Sequence, residues 1–249
     1  MDGVLWRGDA PIGDLPVIFT RIRASGLKVA FATNNGSRTP DQYVERLAVF
    51  GVKAESWQVV TSSLALAHLL SVKFPSGGPV FAIGGEGVMS ALREKGFEPL
   101  PVEKAENAQA VVMGLDREIN FSKMAEATLL VRRGLPFYAT NPDKTFPTPR
   151  GEIPGAGAWV AVIITATDVM PIFTGKPEPY LIDLAREGLG STKGETLVVG
   201  DRLETDIAGG QAAGCACALV LSGIAKRQDG EAWRPEIQII ANDLAELVL

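Results

Sequence analysis

Asp201 and Asp206 stand directly behind a short apolar run, Thr196-Leu-Val-Val-Gly200, and are the acids best placed for chemistry. Leu197, Val198 and Val199 read as a fully buried strand, too short for a helix and bounded by polar residues. Gly200 lets the backbone turn, so Asp201 emerges at the strand's carboxyl end, the edge at which open α/β sheets bind ligands. Asp206 follows just before Ile207-Ala-Gly-Gly. Two carboxylates in such a place suit a hard cation such as Mg²⁺, which takes a few oxygen ligands and keeps several waters. They serve equally well as helix caps, and the pair alone leaves both readings open.

Three further stretches carry polar residues at a strand end or loop: Asp2-Gly3, Thr33-Asn34-Asn35-Gly36 and Gly175-Lys176-Pro177. Each has an ordinary explanation by itself. Asn-Gly neighbourhoods make turns, Lys176 can be a solvated loop lysine, and Asp2 can be a frayed terminal residue. His68, the sole histidine, lies in an apolar helical stretch and reads as a packed residue, so no histidine-based metal or triad chemistry is available. The glycines of Ile83-Gly-Gly-Glu-Gly87 do not fit the dinucleotide-binding spacing.

The elements that must position these residues alternate between strand and helix. With 249 residues, of which 46% are hydrophobic, the chain can bury a large core as one domain or two. A formal net charge of -5 provides no electrostatic footprint for nucleic acid, and no polybasic run marks a membrane surface. The longest apolar stretch, 159–166, is too short to span a bilayer. The first nine residues lack a basic n-region followed by an apolar stretch, so a cytoplasmic protein is expected. Cys215 and Cys217 share a face of a strand and read as small buried side chains, not a disulfide.

Asp14 starts a helix whose Leu15, Ile18, Phe19 and Ile22 fall on one face, and Gly26 stops it. A strand over 27–33 ends in Thr33. Thr39-Pro40-Asp41-Gln42 starts a second helix, with a capping Thr and a first-turn Pro. A brief strand at 59–60 is followed by a helix capped at Ser62 or Ser63. Pro75-Ser-Gly-Gly-Pro79 reads as a linker, and beyond it a second strand–helix series runs to a boundary at Asp168-Val-Met-Pro171. A proline-rich stretch at 146–154 and then a helix near 158–167 lie within that series. A helix over 180–187, the strand before Asp201, a strand over 218–221, and a last strand–helix pair at 237–240 and 243–248 complete the chain. The pattern predicts an α/β fold: a doubly wound, Rossmann-like parallel-sheet core of 1–78 and 171–249, with a smaller α/β cap inserted at 79–170.

In order and spacing, Asp2-Gly-Val-Leu-Trp6, Ala32-Thr-Asn-Asn-Gly36, Ala139-Thr-Asn-Pro-Asp143, Gly175-Lys-Pro-Glu-Pro179 and Val199-Gly-Asp-Arg-Leu-Glu-Thr-Asp206 resemble the haloacid dehalogenase (HAD) superfamily. Within it they are similar to the nitrophenylphosphatase (NagD-type) branch, which carries a large α/β cap. The resemblance implies Mg²⁺-dependent hydrolysis of small phosphorylated metabolites through an aspartyl-phosphate, which splits one hard step into two. It implies that Asp201, Asp206 and Asp2 serve the Mg²⁺, and that Lys176 sits beside the phosphate as a compact positive charge. Thr33, Asn34 and Asn35 would donate to phosphoryl oxygens. Asp2 would be the general acid and base. Asn141 and Asp143 would be cap residues facing the substrate, or caps of local structure. A homodimer is compatible with the resemblance.

The sequence departs from the family at one place. The nucleophilic aspartate should stand two positions before Asp2, and the buried strand leading to it is missing likewise. Asp2 cannot take over, because Val4 stands where its partner acid should be. The expectation is therefore that the true start lies upstream of Met1. The alternative is a catalytically inactive HAD-like protein that binds phosphorylated ligands.

Overall fold

The computed structural model describes residues 1–148 and 150–248. Pro149 of the proline-rich stretch and Leu249, the last residue of the expected core, lie outside the described residues. The chain divides into two compact units, Met1–Thr33, Pro40–Val60 and Lys176–Leu249 in the first, Asn34–Thr39 and Thr61–Gly175 in the second. The stretch 79–170 falls inside the second unit, which begins earlier, at Thr61, and also takes in the short loop 34–39.

In the first unit the Asp14 side chain accepts from the Val17 N–H at 3.2 Å and starts the helix Leu15–Ala24. That helix buries Leu15, Ile18, Phe19 and Ile22, the face anticipated from their spacing. The helix Pro40–Val49 buries Tyr43 and Leu47, and Trp6, Leu15, Val59 and Val220 join them in one apolar cluster. Three parallel strands, Leu197–Gly200, Ala216–Val220 and Ile239–Ala241, form a sheet in that order. Phe31–Thr33 and Val59–Thr61 form a separate pair.

Among the described residues no ladder joins these two sheets. A cleft of about 590 Å³ is lined by Val29, Ala30, Phe31, Ala32, Val198 and Val199, among others. This shortens the strand expected over 27–33. Residues 27–30 border the cleft and enter no ladder, so only Phe31–Thr33 is a strand. The helix expected over 243–248 is a single turn in which the Glu246 N–H donates to Asp243 Oδ1. So short a segment cannot offset the cost of helix nucleation.

The second unit is built on five parallel strands ordered Ile172–Phe173, Phe137–Ala139, Val111–Met113, Gly78–Ile83 and Phe97–Leu100. Alternate residues of Gly78–Ile83 face opposite sides: Val80 and Ala82 join one apolar cluster, Phe81 and Ile83 another. Burial on both faces is what makes such a strand read as a continuous apolar run. The helices Ser62–Lys73 and Glu86–Glu94 supply the first cluster, and Phe121–Arg132 and Ala156–Thr167 the second. Thr61, not Ser62 or Ser63, caps Ser62–Lys73, accepting from the Leu64 N–H at 3.2 Å. Pro75-Ser-Gly-Gly-Pro79 is no linker, because Gly78 and Pro79 already belong to a strand.

The proline-rich stretch is a hairpin, Thr145–Thr148 antiparallel to Gly151–Pro154. Proline suits such a two-stranded ribbon because each strand has an outer edge that needs no ladder donor. No helix among the described residues is long and apolar enough to cross a membrane. Both cysteines are free and buried.

Candidate active site

In the first unit the strand Leu197–Gly200 delivers Asp201 to a position only 4% exposed. The Asp201 carboxylate lies against two glycines. A Cβ at Gly3 would fall 2.2 Å from Asp201 Oδ2, and one at Gly223 would fall 2.0 Å from it. Asp201 Oδ2 accepts from the Ile224 N–H at 3.1 Å; among the described residues Oδ1 accepts no hydrogen bond. Burial, and then the charge of Asp206, push this carboxyl above its usual range.

A π-helical turn, Leu203–Ile207, brings Asp206 back over the strand end. A Cβ on Gly200 would lie 2.0 Å from the Cβ of Asp206, so only glycine fits there. Both Asp206 oxygens are engaged. Oδ2 accepts from the N–H groups of Asp201 and Arg202, each at 3.2 Å, and Oδ1 accepts from Lys176 Nζ at 2.6 Å. Burial pushes the Asp206 carboxyl up, but the Lys176 ammonium, the chain's amino group and these hydrogen bonds outweigh it and hold it low. Lys176 is 7% exposed, with its Cβ and Cγ against Gly209.

Asp2 is exposed, and its Oδ1 accepts from Trp6 Nε1 at 2.8 Å. Trp6 is fully buried, with the Arg46 guanidinium 4.6 Å from its ring centroid. The Met1 amino group is buried among these charges. Burial and Lys176 lower its pKa, while Asp206, Asp2 and Asp201 act against them. Asp2, Lys176, Asp201 and Asp206 therefore converge on one place, which the cleft described above reaches through Met1, Lys176 and Asp206. Thr33, 8% exposed, ends its strand in the same unit.

Asn34, Asn35, Asn141 and Asp143 belong to the second unit. Asn34 Nδ2 lies 3.3 Å from both carboxylate oxygens of Asp143. The Asn34 carbonyl accepts from Asn141 Nδ2 at 2.8 Å and from the Ser62 hydroxyl. Asn35 Oδ1 accepts from the Ser37 N–H and hydroxyl, an Asx turn, so its side-chain oxygen is used locally. Ser62 is a participant that the sequence reading missed. Its signal is Thr61-Ser62-Ser63, a polar trio directly behind a buried apolar strand, the same form as the other four stretches.

The haloacid dehalogenase-like hydrolase family model matches residues 1–98, and a second model, HAD-hydrolase-like, matches 173–247. The 5'-nucleotidase YutF of Bacillus subtilis is 38% identical over 229 residues, 92% of this chain and 87% of its own length. The chain belongs to the haloacid dehalogenase-like hydrolases. Its branch is the NagD-type phosphatases. NagD of Escherichia coli K-12 superposes on this hydrolase with a TM-score of 0.91 at 30% identity, covering 100% of this chain and 96% of NagD. The glycerol phosphate phosphatase Rv1692 of Mycobacterium tuberculosis, in complex with magnesium, reaches 0.92 at 35% identity over 99% of this hydrolase and 74% of that chain.

Proposed function

We propose that this hydrolase releases phosphate from small phosphorylated metabolites at the place where Asp2, Lys176, Asp201 and Asp206 converge. The observation that carries the reading is the buried Lys176–Asp206 pair beside Asp201, three charges drawn to the end of one strand. A buried ammonium beside a strand end suits a phosphoryl group, whose charge a cation must offset.

The residues fit Mg²⁺. A hard cation takes carboxylate oxygens, and Asp201 Oδ1 is a carboxylate oxygen with no protein donor among the described residues. Asp206, with both oxygens engaged, would orient Asp201 through the Asp201 N–H and hold Lys176 in place. When bound, the metal neutralises charge that develops on the phosphoryl oxygens. Thr33 donates its hydroxyl to the phosphoryl group. Asp2, with Oδ1 held by Trp6, has Oδ2 left to act as general acid. In this role it gives a proton to the leaving alkoxide as the phosphorus–oxygen bond breaks, and later takes one from the attacking water.

The reading needs an attacking carboxylate, which the family resemblance expects two positions ahead of Asp2. The experiment compares the 249-residue chain with a protein extended upstream by its natural codons. Both are assayed with Mg²⁺ on sugar phosphates, glycerol phosphate, nucleoside monophosphates and an aryl phosphate. Release by the extended protein, abolished by Asp201→Asn, is the expected result. A folded extended protein that hydrolyses none of the panel overturns the reading. The cap's Asn141 and Asp143 are the proposed determinants of which metabolite is taken, and the cytoplasm the proposed place of work.

A further inference from the structure

We infer that Arg46 is a positioning residue that acts through Trp6 on Asp2. The inference rests on the phosphatase reading above, in which Asp2 is the general acid, and adds a cation whose task is not to bind phosphate.

Every contact involved lies within the first unit. Asp2 is tied to Trp6 by side chain and by backbone. Trp6 Nε1 donates to Asp2 Oδ1 at 2.8 Å, the two backbones meet in a parallel β-bridge, and the Gly3 N–H donates to the Trp6 carbonyl at 2.8 Å. Asp2 is exposed and Trp6 fully buried. An exposed aspartate otherwise samples several rotamers, so the direction of the indole N–H sets the direction of the carboxylate. The indole is held in turn from the end of one helix. Phe50, directly after the helix Pro40–Val49, stacks on it with ring centroids 5.6 Å apart, and the Arg46 guanidinium lies 4.6 Å from the Trp6 ring centroid. Arg46 and Phe50 stand about one turn apart, which brings both to the same ring. Arg46 Nη2 also donates to the Gly8 carbonyl, in the turn between the strands Trp6–Arg7 and Ala10–Pro11. One guanidinium therefore holds the indole by its face and by the hairpin that carries it.

A surface arginine ordinarily pairs with a carboxylate in water. The carboxylate near Arg46, that of Asp9 at 3.7 Å, is fully exposed and adds little. The Arg46 side chain is itself only 23% exposed and directs its charge at a buried tryptophan, the ring that attracts a cation best. Without the cation and the Gly8 bond the indole can tilt, and its N–H then leaves Asp2 Oδ1. A general acid has to stand within hydrogen-bond reach of the oxygen it protonates. A carboxylate that turns away fails only those substrates whose leaving group needs a proton. Simple packing of helix on hairpin would spread its loss over all substrates alike.

The test compares an alkyl phosphate with an activated aryl phosphate in the active protein. Arg46→Met keeps the apolar stem and removes the cation and the bond to Gly8. Its kcat/KM on the alkyl phosphate is expected to fall by about tenfold, less than a whole general acid contributes, and that on the aryl phosphate far less. Arg46→Lys, which keeps a cation for the ring, should show the same split at smaller amplitude. In a Trp6→Phe background, where the donor to Asp2 is gone, Arg46→Met should leave the alkyl-to-aryl ratio unchanged. Equal losses on both substrates in either folded variant, no loss in either, or an undiminished fall of the ratio in the Trp6→Phe background overturns the inference. Hydrogen exchange at the Trp6 indole N–H supplies a second readout; of the four tryptophan signals it is the one that Trp6→Phe removes. Exchange should quicken in Arg46→Met, and an unchanged rate also overturns the inference. If the unaltered protein releases no phosphate from any substrate, the phosphatase reading fails, while the exchange rate still decides whether Arg46 holds Trp6 on Asp2.

Discussion

Lys176 Nζ donates to Asp206 Oδ1 at 2.6 Å in a pair whose side chains are only 9% and 12% exposed. The same carboxylate ties down the N–H groups of Asp201 and Arg202. One acid therefore holds both the cation and the turn that presents Asp201. Removing either partner leaves a buried charge without compensation, at a cost of about 3–5 kcal/mol. Lys176→Met and Asp206→Asn should each lower the urea-unfolding free energy by amounts of that order. The double variant should lose less than the sum of the two.

Magnesium should raise the thermal midpoint of the protein, and the rise should depend on Asp201. Ligand binding to the folded state adds about 2.7 kcal/mol at a hundredfold excess over Kd. Thermal scans of Asp201→Asn with and without Mg²⁺ should coincide. Gly223→Ala should behave similarly with every ligand oxygen intact, because its Cβ would meet Asp201 Oδ2 at 2.0 Å and displace it.

Asp2 as a general acid implies a dependence on the leaving group. An alkoxide needs a proton and a nitrophenolate scarcely does. Asp2→Asn should therefore slow alkyl phosphates by about 10²–10⁴-fold and an activated aryl phosphate far less. Trp6→Phe removes the 2.8 Å hydrogen bond to Asp2 and keeps the aromatic ring near Arg46. It should show the same pattern at smaller amplitude in parallel assays of the two substrate types.

Burial, then the neighbouring Cys215 thiol and the charge of Asp206, push the Cys217 thiol up to about 11. Alkylation requires the thiolate. At pH 8 only about one Cys217 in a thousand is ionised, so iodoacetamide should not label it until the protein unfolds. The neutral thiol contributes stability that is complete below about pH 9, its ordinary value, and lost as the pH rises toward 11. Cys217→Ser should flatten that alkaline limb in a pH series of unfolding curves.

Residue types and periodicity made the α/β alternation legible, down to the capping Asp14 and the buried face of Leu15–Ala24. Local signals failed where partners decide. Residues 27–30 have strand-like composition and yet enter no ladder beside the cleft. The hairpin 145–154 was hidden by prolines that its outer edges tolerate. At the candidate site the acids and Lys176 were legible as chemical types. The grip of Asp143 on Asn34 was not, because it joins residues 109 positions apart with no periodicity between them.

The loop 34–39 has a consequence for exchanging specificity between relatives. The chain passes from one unit to the other at 33/34, 39/40, 60/61 and 175/176. A transplanted cap consisting of 61–175 alone would leave behind six residues that its own Gly87 and Ser63 are shaped to receive. A Cβ at Gly87 would meet the Gly36 carbonyl at 2.3 Å, and Ser63 donates to that same oxygen. A working chimera must carry two segments, so recombination at a single pair of breakpoints is barred from shuffling these caps.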